Sequence, residues 1–257
     1  MAVEWYDLML LCIAAFFAGF VDAIVGGGGL IQLPAALVIL PSFPVSTVIA
    51  SLKFPAFSGT AIAAWQYLKK VVVNWKLVTI ICTTAFFASY GGSYLLIHVS
   101  NWFMKPILLV VLSAVAIYTY TKKDFGQKRK KDVSELEQLQ FGIFISLVIG
   151  FYDGFIGPGA GSFLILAFIT ILGFDFLQAS AHAKMVNLAT NLGSVTLFLF
   201  KGSIIWSIAL PMAAANAAGG FVGAKLAIAK GNKFIRVFFL VVVAGILIRF
   251  CWDVFKS

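Results

Sequence analysis

Charge is scarce in this chain. Of 257 residues only 11% are Asp, Glu, Lys or Arg, against 61% hydrophobic, and the mean hydropathy is +1.01. That composition excludes an ordinary soluble protein and leaves no room for a large extramembrane enzymatic or DNA-binding domain. Histidine is nearly absent, at His98 and His182 only, and Cys12, Cys82 and Cys251 fall in apolar runs at no metal-ligand spacing. No HExxH pattern, Walker sequence or nucleophile–base constellation is present. The expectation is therefore no enzyme, no catalytic residues, no metal, no cofactor and no direct coupling to ATP hydrolysis. The first seven residues carry Glu4 and Asp7 but no Lys or Arg, unlike a signal peptide, so this segment is expected to remain in the mature protein.

In place of charge there is a row of apolar segments, roughly 8–40, 46–68, 77–97, 103–120, 139–172, 176–200, 207–229 and 234–254. A hydrocarbon core ~30 Å thick is crossed by ~20 apolar residues of helix, so the chain reads as an all-α polytopic membrane protein. The net charge of +9 lies mainly between these segments, as expected of residues that set membrane orientation, and a nucleic-acid partner is not expected. Lys122, Lys123, Lys128, Arg129, Lys130 and Lys131 concentrate in 121–138. That segment reads as a cytoplasmic basic linker between a first membrane repeat, 1–120, and a second, 139–257. Ser134 and Glu137 have capping-box spacing for the helix that follows.

Sliding the sequence by 131 residues against itself gives identity at about 21 of 93 positions without gaps, where this composition gives roughly 7 by chance. Gly19 pairs with Gly150, Asp22 with Asp153, Gly26 with Gly157, Gly28 with Gly159, Lys53 with Lys184, Trp75 with Trp206 and Gly92 with Gly223. Two apolar runs are too long for one crossing, since 33 helical residues extend ~50 Å. Both are interrupted by glycine, at Gly26 to Gly29 and at Gly157 to Gly161. If each run begins and ends on one side of the membrane, three groups of positive charge gather on a single face: Lys69, Lys70 and Lys76; the linker; and Lys225, Lys230, Lys233 and Arg236. Loop charge thus favours two inverted-topology repeats with glycine-broken or re-entrant helices.

Charges inside apolar runs cost about 2.5 to 3.5 kcal/mol each on insertion scales and need partners. Asp22, Asp153, Lys53 and Lys184 are such charges, in equivalent repeat positions. They form either structural ion pairs or a functional centre. An interrupted helix offers free N–H groups and a positive dipole end to an anion, here from Gly27, Gly28 and Gly29 and from Gly159 and Gly161, with the Ser162 hydroxyl beside them. Asn187, Thr190, Asn191 and Ser194 form a polar stripe after Lys184. His182 is a candidate proton carrier or a packed histidine. Asn216, among Gly219, Gly220 and Gly223, reads as tight helix packing. Trp75 and Trp206 read as interfacial anchors.

At these residues the sequence resembles a known family. The stretch from Gly19 to Pro34, Gly-Phe-Val-Asp-Ala-Ile-Val-Gly-Gly-Gly-Gly-Leu-Ile-Gln-Leu-Pro, and its echo from Gly150 to Gly161 are similar to the paired motifs of the sulfite exporter TauE/SafE family. The Lys-x-x-Asn core within 184–191 matches that family's second repeat, whereas Ala56 stands opposite Asn187 in the first. The resemblance implies a multi-pass transporter of the cell membrane, of bacterial inner-membrane type, for sulfite, a sulfonate or a related organic anion. The expected partners are that small anion and the lipid bilayer. A coupled proton or ion and a homo-oligomeric state remain open. The expected mechanism is alternating access at a central site between the repeats, with an anion channel or a non-transporting scaffold as the alternatives. In that site Gly27, Gly28, Gly29, Lys53, Gly159, Gly161, Ser162, Lys184, Asn187, Thr190 and Asn191 contact the anion. Asp22, Asp153 and His182 compensate charge or couple a proton.

Overall fold

The computed structural model of the protein describes residues 4–100, 102 and 133–256, and side chains as far as Gly231. The apolar run 103–120, Lys105 and the linker positives Lys122 to Lys131 lie outside the described residues, as do the side chains of Lys233 and Arg236. Among the described residues there are eight helices and no strand: α1 (Trp5–Val25), α2 (Gly29–Ile39), α3 (Val45–Leu68), α4 (Trp75–His98), α5 (Glu135–Phe155), α6 (Ala160–Thr170), α7 (Phe176–Phe200) and α8 (Trp206–Lys256). α8 is interrupted at Gly231, where φ is 70° and ψ −165°. The helix starts at Gly29, Val45 and Trp75 recur at Ala160, Phe176 and Trp206, each 131 residues on, so the duplication read from sequence is also one of secondary structure. Ser134 accepts from the Glu137 amide and the Glu137 carboxylate accepts from the Ser134 amide, which completes the expected capping box. It starts α5 at Glu135, so the last four residues assigned to the linker form the first turn of that helix.

Among the described residues five helices are long and apolar enough to cross a membrane: α1, α3, α4, α5 and α8 as far as Gly231. Outward faces carry Phe17, Phe87, Phe144, Phe200 and Leu210, side chains suited to lipid. α2 and α6 have 11 residues each, about 16 Å of helix, and cannot cross. Both are reached by a reversal of the chain. Gly28 returns against α1, where a Cβ would stand 2.5 Å from the Ala18 carbonyl oxygen, whereas a straight helix would place these residues about 15 Å apart. In the second repeat the Tyr152 hydroxyl donates to the Pro158 carbonyl at 2.6 Å, and the Tyr152 and Phe163 rings lie 5.8 Å apart. The alternative of two short crossings gives way to hairpins with a glycine turn at the tip.

The halves interlock. α1 packs on α8 and α5 on α4, while α3 meets both α7 and α8. Small residues permit the approach, and they do so reciprocally. A Cβ at Gly92 would fall 2.1 Å from the Phe151 carbonyl oxygen, and one at the equivalent Gly223 would fall 2.3 Å from that of the equivalent Phe20.

Candidate functional site

The two glycine turns meet at the centre of the molecule. Gly26 has φ 77° and its counterpart Gly157 φ 95°, left-handed conformations that favour glycine. Gly26 also touches the opposite hairpin, where an added Cβ would lie 2.2 Å from the Gly161 carbonyl carbon. Ser162 ties the hairpins together: its amide donates to the Gly26 carbonyl at 3.1 Å and its hydroxyl to the Val25 carbonyl at 2.8 Å. Sequence reasoning offered that hydroxyl to a ligand, whereas the structure commits it to the contact between repeats.

The four intramembrane charges pair across the halves. Lys53 Nζ donates to the Asp153 side chain at 2.9 Å and also to its main-chain carbonyl. Lys184 Nζ makes the same two bonds with Asp22, at 2.8 Å to Oδ2. Each lysine lies eight residues beyond the start of its helix, about 12 Å along it, within bilayer depth. Removing one member of such a pair strands the other, at a cost of about 3–5 kcal/mol, so the crossed pairs lock the repeats to each other.

Between the turns lies a cavity of about 70 Å³, room for a few waters or one small ion. From the sequence-derived set, Gly28, Gly29, Lys53, Gly159, Gly161, Asn187, Asn191, Asp22 and Asp153 line it. The amides of Gly28 and Gly29, at the N-terminus of α2, donate to no acceptor among the described residues. Asn191 Nδ2 donates to Asn187 Oδ1 at 3.1 Å, which leaves the Asn187 Nδ2 donor beside Gly161. Gly27, Ser162, Lys184, Thr190 and His182 are not on the wall. Lys184 is fully buried against Asp22, and the Thr190 hydroxyl binds Asp153 Oδ2. His182 is enclosed elsewhere, with Nδ1 2.8 Å from the Gln178 carbonyl and its ring 4.6 Å from that of Phe174.

The wall also includes residues outside the sequence-derived site set, chiefly Gln32, Thr60 and Asn216. Asn216 does pack tightly, against Gly19 and Gly59, but its amide also reaches the cavity and donates to Gln32 Oε1 at 3.2 Å. A sequence signal for Gln32 existed: it is the sole strong hydrogen-bonding side chain in an otherwise apolar α2, three residues past the turn.

Comparison with known proteins gives the chain a family. Residues 11–250 match the family model described as Sulfite exporter TauE/SafE. A probable membrane transporter protein of Haemophilus influenzae is 37% identical over 229 residues, covering 89% of this chain and 88% of that protein. Probable membrane transporter protein ORF9 of a Sinorhizobium species is 35% identical over 251 residues, 98% and 95% of the two chains. Probable membrane transporter protein YfcA of Escherichia coli K12 is 31% identical over 246 residues, 96% and 90%. No solved structure matches the chain. With its apolar helices, this match makes the chain a multi-pass integral membrane protein, in bacteria one of the inner membrane. The chain belongs to the sulfite exporter TauE/SafE family of membrane transporters.

Proposed function

We propose that the protein is a secondary transporter of a small oxyanion, sulfite, a sulfonate or a related organic anion, working by alternating access between two inverted repeats. The observation that carries this reading is the shared cavity: open helix N-terminal amides at Gly28 and Gly29, the Lys53 ammonium and the Asn187 and Asn191 amides all border one small space. Backbone and amide donors without a protein acceptor, beside a lysine ammonium, suit an anion. Inversion is supported by the two chain reversals, which return each hairpin to the side it came from, and by the loop charge that then collects on one face.

The crossed pairs suggest how the site is kept neutral when empty. Lys53 is held by Asp153, and an arriving anion competes with that carboxylate for its ammonium. Asp22 borders the same cavity, and its side chain is 18% exposed against 6% for Asp153. The hairpins are the moving parts in this reading, hinged on Gly26 and Gly157.

The test is uptake of labelled sulfite and of methanesulfonate into reconstituted vesicles. Lys53→Ala and Lys184→Ala, at wild-type amounts of folded protein, are expected to reduce flux, Lys53→Ala more severely. Undiminished flux in both rejects the lysine-centred site, and saturable flux with counterflow distinguishes a carrier from a channel.

A further inference from the structure

Gln32 of α2 and Asn216 of α8 face each other on the cavity wall, 4% and 3% exposed. Asn216 Nδ2 donates to Gln32 Oε1 at 3.2 Å. That bond decides which end of the Gln32 amide is left over. Oε1 is taken, and Nε2 is buried with no protein acceptor. Turning the amide over would set its NH₂ against the Asn216 NH₂, donor against donor. An unmade buried donor is a standing penalty, and apolar replacement of the pair would be the easier structural solution. The second repeat adopts that solution, with Phe163 opposite Gln32 and Ala85 opposite Asn216 in the duplication.

We infer that Gln32 Nε2 is an oxyanion-binding donor and Asn216 the positioning residue that aims it. This rests on the reading of the cavity as an anion site and adds a selectivity to it. Lys53, on α3, supplies a point charge, and Gln32, on α2, supplies a directional N–H from a different wall. A ligand with two or more acceptor oxygens, such as a sulfite, sulfonate or carboxylate, satisfies both. A halide meets both only by bridging the two donors with one sphere, whereas an oxyanion offers each donor its own oxygen. The Gln32 amide therefore selects oxyanions over spherical anions of equal charge.

Thermal unfolding of the purified full-length protein in detergent, titrated with sulfite, methanesulfonate or chloride at constant ionic strength, tests this. Wild type is expected to be stabilised by the oxyanions well beyond chloride. Gln32→Leu should raise the apparent Kd for sulfite about tenfold or more, the loss of one hydrogen bond to a charged ligand, and leave the chloride response unchanged. Gln32→Met, close in length but without the donor, should do the same and serves if the leucine variant unfolds. Asn216→Ala removes the bond that aims Gln32 and should weaken sulfite, by less than Gln32→Leu does, without altering the chloride response. Sulfite binding lost in Lys53→Ala but wild-type in both Gln32 variants overturns the role of Gln32 and leaves the anion site standing. Wild-type binding in Lys53→Ala as well, or no oxyanion effect on the unmutated protein, overturns both.

Discussion

The two half-sites share an ion pair and little else. Asp153 is held at both oxygens, Oδ1 by Lys53 and Oδ2 by Thr190. Behind it runs a buried hydroxyl ladder: Ser89 donates to the Thr190 carbonyl at 2.7 Å, Ser194 lies 2.8 Å from Ser89, and Ser93 bridges Ser194 and the Gly154 carbonyl, both at 2.9 Å. Asp22 is held at Oδ2 alone, by Lys184 at 2.8 Å and by Thr60 at a long 3.5 Å. The positions that repeat Thr190, Ser194, Ser89 and Ser93 are Gly59, Ala63, Gly220 and Ala224. One duplicated carboxylate is thus clamped within helix packing, and the other keeps a free edge on the cavity. Duplication placed the charges, and the neighbours that differ between the halves hold one carboxylate at both oxygens and the other at one.

That contrast can be broken at several points. The largest effect is expected for Asp22→Ala, which strands the wholly buried Lys184. Denaturant titration in micelles should show a loss of about 3–5 kcal/mol, most of it recovered in the Asp22→Ala/Lys184→Met double variant. A full loss that persists in the double variant would contradict the pairing. Thr190→Val removes a hydrogen bond to a charged, buried carboxylate and should cost about 1.5–3 kcal/mol, whereas Thr60→Val, at 3.5 Å from Asp22, should cost under about 0.5. Equal losses would erase the clamped-versus-open distinction. Gly92→Ala and Gly223→Ala probe what the halves still share. Each forces a methyl against a carbonyl of the crossing helix, and matched losses of about 1–3 kcal/mol are expected in the same titration. A small effect is also expected for Gly27→Ala, where the nearest atom to a Cβ is 3.7 Å away, within about 1 kcal/mol of wild type.

Much of the frame could be read from the sequence because duplication amplifies it. A 131-residue shift aligns turns, charges and tryptophans at once, and three of the four helix starts described in the second half sit where the first half places them. The partners of the charges could not be read that way. Asp22 to Lys53 and Asp153 to Lys184 have the same spacing, so pairing within a repeat and pairing across repeats look alike in sequence. Only packing of α1 on α8 and α5 on α4 brings each lysine to the other half's aspartate. The same reliance on repetition concealed Gln32 and Asn216, which have no echo, and Asn216 was further masked by neighbouring glycines that do serve packing. Ser162 and Thr190 have the right chemistry for a ligand but spend their hydroxyls on Val25 and Asp153.

The central claim is that a small oxyanion sits between the two glycine turns beside Lys53. Selenite, a heavier relative of sulfite, makes this directly visible in crystals grown at a selenite concentration that raises the protein's melting temperature. The account predicts an anomalous selenium peak inside the cavity, within hydrogen-bond reach of Lys53 Nζ and Gln32 Nε2. Selenium found only on the outer surface, with the Lys53–Asp153 pair closed and the cavity unoccupied, would contradict it.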